Sequence, residues 1–219
     1  MNNTKKIQIT RIVSLFGFIA SVFYFLHIIL GRMYYNGYDP LSQAISDLTA
    51  LNSPSKNIAS IFSFIYGVFN VIFVIGFYKY FKGKINRIVT FGSGIFCNMV
   101  LITFFGYTFF PLSGAGYAGT FQDTMHIAVT IVVVILTIIT IMLFSIGFLK
   151  TKKYKYIGIT SIIAFIFLII GAMLINILPK EYFGIAERIN VYTVIIYTGI
   201  LSLWMNRYIN KNGVRTNVA

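Results

Sequence analysis

Apolar residues in this chain run in blocks of about twenty, the length an α-helix needs to cross a hydrocarbon core of roughly 30 Å. Six such blocks fall at residues 12–31, 58–78, 88–110, 124–149, 157–178 and 190–206. The pattern predicts an all-α fold: one domain over residues 1–219, a bundle of six membrane-spanning helices. The second and fourth connections, "KYFKGKINR" and "KTKKYKY", are short and basic. The first, third and fifth are longer and hold Pro40, Pro54, Pro111 and Pro179. In the first, Asp39-Pro40 reads as a helix cap followed by proline at the first helical position. "LSQAISDLTAL" then spaces Leu41, Ala44, Ile45, Leu48 and Leu51 along one helical face. A short amphipathic helix is expected there, lying on the membrane surface or the bundle top. The first apolar block follows Lys5, Lys6 and Arg11, but its exit, "FLHIILGRMYY", lacks a small-residue cleavage site. It is expected to remain as the first span.

Composition agrees with the pattern. Hydrophobic residues make up 58% of the 219 positions and charged ones 11%, too little polar surface for an ordinary soluble domain. The net charge of +13 would suggest nucleic acid in a soluble protein. Here the basic residues sit in short loops between spans, so they are topology signals and no nucleic-acid partner is implied. Fourteen of the 18 basic residues, including Lys79, Lys82, Lys84, Arg87, Lys150, Lys152, Lys153, Lys155 and Arg215, fall at one end of the predicted bundle. Arg32, Lys56, Lys180 and Arg188 fall at the other. The positive-inside rule puts both termini in the cytoplasm of a multi-pass cell-membrane protein. All five acids, Asp39, Asp47, Asp123, Glu181 and Glu187, fall on the opposite, outer side. Helix N-termini favour carboxylates, which accounts for Asp123 and Asp39 but not obviously for Asp47 or Glu187.

Candidate chemistry gathers at that outer side. Asp123 and His126 are three apart on a helix and share a face, a carboxylate that raises the basicity of an imidazole. The pair suits a general base or a cation ligand; helix capping by Asp123 is the competing structural explanation. His27 sits one turn from the outer end of the first span. Arg188 stands at the positive end of a helix dipole and therefore needs a partner, such as Glu187, Asp47 or an anionic lipid group. Asn70, Asn98 and Asn176 lie within spans and read as hydrogen-bonding glue between helices, with Gly67, Gly92 and Gly94 marking close packing. There is no GxSxG, Walker loop or HExxH. Two histidines exclude a three-histidine zinc site; a mixed site of His27, His126 and a carboxylate stays open. One cysteine, Cys97, permits no intrachain disulfide.

The segments "YDPLSQAISDLTA", "FFPLSG...DTMHI" and "GIAERINVYTVIIYTGILSLW" together resemble a bacterial and archaeal membrane family, domain of unknown function 998. The resemblance implies a six-helix bundle. Its pattern has Ser-Asp after the first helix, Phe-Pro after the third, histidine opening the fourth and Gly...Glu-Arg opening the sixth. Here these positions are Ser46, Asp47, Phe110, Pro111, His126, Gly184, Glu187 and Arg188. His27 lies outside the pattern. The family name carries no mechanism and no cofactor.

Two functional readings follow. In the first, an outward-facing polar pocket binds or processes a lipid headgroup or small polar ligand. Asp123 and His126 would form the catalytic pair, and Ser46, Asp47, Glu187 and Arg188 would hold the ligand. As an enzyme this would be a membrane-embedded hydrolase or transferase. In the second, the protein is a non-enzymatic transport, sensing or immunity component whose outer polar cluster locks the helix ends together.

Overall fold

A computed structural model describes residues 3–213. The side chain of Lys6 and the whole of Arg215, both counted in the charge sorting, lie outside the described residues. Six helices are present: α1 (Asn3–Tyr34), α2 (Lys56–Phe81), α3 (Arg87–Phe109), α4 (Phe121–Leu149), α5 (Lys155–Ile177) and α6 (Phe183–Gly213). Each is long and apolar enough to cross a membrane. The helices pack in chain order, α1 on α2 through to α5 on α6, and α6 returns to α1. The bundle is thus a closed ring, in which α1 starts and α6 finishes at the lysine-rich end.

Polar side chains close the ring. The Ser202 hydroxyl donates to Ser14 O (2.6 Å) and accepts from Phe18 N (2.9 Å), bridging two groups one turn apart on α1. Asn206 Nδ2 donates to Ser14 Oγ and Arg11 O, and Ser21 Oγ donates to Ile195 O. These ties do what was expected of Asn70, Asn98 and Asn176. That expectation fails: those three bond one turn along their own helices, to Tyr66 OH, Gly94 O and Ala172 O. An amide Nδ2 on a helix finds an acceptor this way at no cost in helix placement. Gly92 does mark close packing, since a Cβ there would lie 3.1 Å from Leu143 Cβ. Gly94 does not, for its Cβ would meet only Tyr78 Cε2, at 3.8 Å.

The ring's interior differs from end to end. Toward the lysine-rich end it is filled by Phe73, Phe77, Phe81, Phe144 and Phe148, all fully buried, with Leu201 and Met205. Lipid is as apolar as this core, so dispersion and ring geometry rather than water expulsion hold it. Toward the acid-rich end the interior turns polar: His27, Asn70, Asp123 and His126 are buried. The outward faces carry exposed Ile131, Ile135, Ile163 and Ile170, the surface lipid wets.

The first connection departs from expectation. Asp39 does start a turn, accepting from Leu41 N and from Ser42 Oγ. The chain then extends at Ala44 (φ −68°, ψ 154°) and forms only a short 3-10 turn, Ile45–Thr49. Leu41 and Leu51 are exposed while Ile45 and Leu48 are buried, so the predicted single apolar face does not exist. The helix fails because its backbone groups have stronger external partners on α6, described next.

Candidate functional site

Connections between helices meet at the acid-rich end, and carboxylates organise the first and the third of them. Thr120 is the N-cap of α4, three residues before Asp123, so the helix starts earlier than the apolar block does. The two form a capping box: Thr120 Oγ1 accepts from Asp123 N (3.2 Å), and Asp123 Oδ2 accepts from Thr120 N (3.3 Å). Asp123 also accepts from Ser113 N (2.8 Å), Ser113 Oγ and Ala118 N (3.1 Å). Its oxygens are thereby committed to the loop between α3 and α4.

His126 lies one turn deeper. Its Nδ1 bonds to the carbonyl of Phe110 (2.8 Å), and its ring lies 4.8 Å from that of Tyr107. A carbonyl only accepts, so Nδ1 carries the proton and a neutral ring leaves its lone pair on Nε2. No hydrogen bond from a described residue reaches Nε2. The orienting partner of His126 is therefore a backbone carbonyl, and Asp123 acts on it only through its field.

Asp47 is 3% exposed. Its Oδ2 accepts from Ala44 N (3.2 Å) and its Oδ1 from Gly116 N (3.0 Å), joining the first and third connections. Burial pushes its carboxyl above the ordinary range, while those two N–H groups, and then His126 and Arg188, pull it down. Glu187, in the second turn of α6, accepts from Ile45 N through Oε2 (2.7 Å). Arg188 donates from Nη1 to Gln43 O and Gly184 O, both at 2.9 Å, and from Nη2 to Tyr38 OH. Three of its five N–H groups are thus occupied by neutral acceptors rather than by a carboxylate. The Ser46 side chain makes no hydrogen bond among the described residues; only its carbonyl is used, by Thr49 Oγ1.

These contacts join the elements of the resemblance into one cluster. The Ser-Asp turn rests on the Glu-Arg pair, and the Phe-Pro corner supplies the carbonyl that orients the histidine. Gly184 must be glycine, since a Cβ would sit 2.6 Å from Pro40 O and 2.7 Å from Gln43 O. The family described as "Protein of unknown function (DUF998)" matches residues 18–204. This chain belongs to the DUF998 family. No curated protein and no solved structure matches it.

Beneath the cluster of this DUF998 protein lies a second layer that spacing did not mark as a site. His27 is 3% exposed and stands edge-on to Tyr24, with ring centres 5.3 Å apart. Neither of its ring nitrogens has a partner. Tyr24 packs on Tyr66, whose hydroxyl accepts from Asn70 Nδ2, and Asn70 Oδ1 is buried without a partner. Buried polar atoms are seldom left unpaired, so unpaired ones mark a place where water or a ligand belongs. The available signal was His27 itself, an ionisable residue inside a span. Among the described residues no three His, Cys, Asp or Glu side chains gather to hold a metal, so the mixed site with His27 is not assembled.

Proposed function

We propose that this DUF998 protein is a cell-membrane protein, with both termini cytoplasmic, whose outward end holds a polar chamber for a lipid headgroup or small polar ligand. The first connection with Ser46 and Asp47, and the N-terminal turns of α4 and α6 with Asp123 and Arg188, form its cover, and His126 and Glu187 face the ligand. The observation that carries the reading is the uneven use of the polar atoms. Asp47 and Asp123 have both oxygens bonded to loop groups. Among the described residues no hydrogen bond reaches His126 Nε2 or Glu187 Oε1, and His27 and Asn70 beneath them hold buried atoms without partners.

In this reading His126 accepts a proton or a donor group of the ligand through Nε2, with Phe110 fixing its tautomer. Arg188, with two N–H groups uncommitted, supports an anionic group at the rim. If the ligand is processed, water entering from outside is the co-reactant of a hydrolysis, and a second polar ligand is the acceptor of a transfer. The second reading, a structural lock without a ligand, draws support from how many of the rim's groups bond the protein's own backbone.

One pair of variants separates them. His126→Asn keeps an N–H where Nδ1 stands and removes Nε2; Glu187→Gln keeps the acceptor for Ile45 N and removes the charge. Each variant is purified in mild detergent, its unfolding temperature measured, and bound lipids and small molecules identified by mass spectrometry. The chamber reading expects a specific co-purifying species that both variants lose while they unfold within a few degrees of the parent. A parent without such a species, with His126→Ala and Glu187→Ala losing the fold, would assign the cluster to locking.

A further inference from the structure

A cleft of about 680 Å³ opens between α2 and α3 at the opposite, lysine-rich end. Its rim is cationic, with Lys82 and Arg87 both exposed, and its walls are Tyr78, Phe91 and Ile95. Asn86 shapes the mouth. Its Oδ1 caps α3 at Val89 N (3.0 Å), and its Nδ2 donates to Gly147 O on α4 (2.7 Å). That ties the start of α3 to α4. Gly94 leaves the wall open farther down, since a Cβ there has one neighbour within 4 Å. The cleft ends at Asn98, whose Nδ2 is already bonded to Gly94 O.

Charge and length both point to the occupant. All five Asp and Glu side chains lie at the other end of the bundle, so none of them neutralises Lys82 and Arg87. The Lys82 ammonium lies over its own cleft wall, 5.6 Å from the Tyr78 ring centre. From Arg87 to Asn98 the cleft follows eleven residues of helix, about 16 Å at 1.5 Å per residue. One leaflet of hydrocarbon is about 15 Å thick. A free anion would account for the rim but not for a greasy trough one leaflet long.

We propose that this cleft binds one anionic phospholipid of the leaflet at the lysine-rich end. The phosphate lies against Lys82 and Arg87, and an acyl chain runs past Tyr78, Gly94 and Phe91 toward Asn98. The site is independent of the chamber at the acid-rich end. Its occupancy makes the protein sensitive to the anionic lipid content of that leaflet, because the lipid bridges α2 and α3.

The test uses the full-length chain, delipidated in detergent and titrated with phosphatidylglycerol or phosphatidylcholine. Native mass spectrometry and thermal unfolding are the readouts. Phosphatidylglycerol is expected to bind about tenfold more tightly, a preference the paired variant Lys82→Ala/Arg87→Ala abolishes. The control pair Lys152→Ala/Lys155→Ala, exposed at the same end, is expected to change affinity less than about twofold. Gly94→Leu fills the trough and is expected to weaken both lipids. Equal losses in the control pair would overturn the proposal in favour of diffuse charge attraction. Equal protection by glycerol phosphate alone would overturn it in favour of a free-anion site. A lipid-free dimer that Gly94→Leu dissociates would give the cleft to a second copy of the chain.

Discussion

Gly184 shows how much one hydrogen atom can decide. Arg188 Nη1, Pro40 O and Gln43 O all crowd the space where a Cβ would be, within 2.7 Å. Two of those three are backbone atoms and cannot rotate aside. Gly184→Ala is expected to cost about 1–3 kcal/mol by forcing the first connection off α6, read as a lowered unfolding temperature in detergent. An unchanged value would mean that the loop does not seat there. Asp47 gives a residue-scale pH dependence. Burial holds its carboxyl above the ordinary value of 3.8 in the folded state, with the Arg188 cation and the titratable groups His126 on α4 and Glu187 on α6 around it. A raised folded value means that its contribution to stability is complete below 3.8 and is lost as pH rises through the folded value. The parent's unfolding temperature should therefore fall relative to Asp47→Asn on going from about pH 3.5 to about pH 6. A constant difference across that range would show that Asp47 is not held in a desolvated place. The sequence marked Asp47 as polar and close to the bundle mouth. It did not reveal the two backbone N–H groups, from Ala44 and Gly116, that fix its position, because one of them lies 69 residues away.

Helices were legible as elements because lipid enforces a length, and each observed helix contains or closely overlaps its apolar block. Their ends were less legible. α4 begins at Phe121 rather than at the start of its apolar run, since Thr120 and Asp123 cap a turn that carries few apolar residues. The first connection was misread for a related reason. Its apolar spacing suits a helix, but Glu187 takes Ile45 N and Arg188 takes Gln43 O, and both partners are remote in sequence. Glue between helices was sought in mid-span asparagines and found in the α1–α6 seam. Interhelical hydrogen bonds in membranes average about 0.6 kcal/mol each, so removing the four made by Ser202 and Asn206 should cost about 2 kcal/mol. Ser202→Ala/Asn206→Leu is the variant, and reversible unfolding in mixed detergent micelles is the assay. Asn176→Leu serves as the contrast. Its amide bonds only Ala172 O on its own helix, and its loss should change stability by under about 0.5 kcal/mol. If the two variants cost the same, the seam does not close the ring.

Across the whole molecule, one asymmetry links topology to chemistry. The aromatic column of Phe77, Phe81, Phe144 and Phe148 fills the lysine-rich half of the ring with buried apolar rings. The opposite half holds every acid and both histidines. A ring apolar at one end and polar at the other suits a site served from a single side, and the sign of the loops says which side that is. Moving the lysine-rich loops across a bilayer would carry most of the chain's positive charge with them, whereas the acid-rich loops carry four basic residues. The acid-rich end should therefore face outward. Ala115 and Lys152 are exposed at opposite ends, and the single native cysteine, Cys97, can be replaced by serine to give a clean background. In that background Ala115→Cys should react with a membrane-impermeant maleimide on intact cells, and Lys152→Cys only after permeabilisation. The reverse pattern would turn the chamber toward the cytoplasm, where its ligand would be a metabolite or an inner-leaflet headgroup, and the outward-facing reading would fall. Labelling at both positions in intact cells would show dual insertion, which a charge difference this large opposes, since it biases every loop in the same direction.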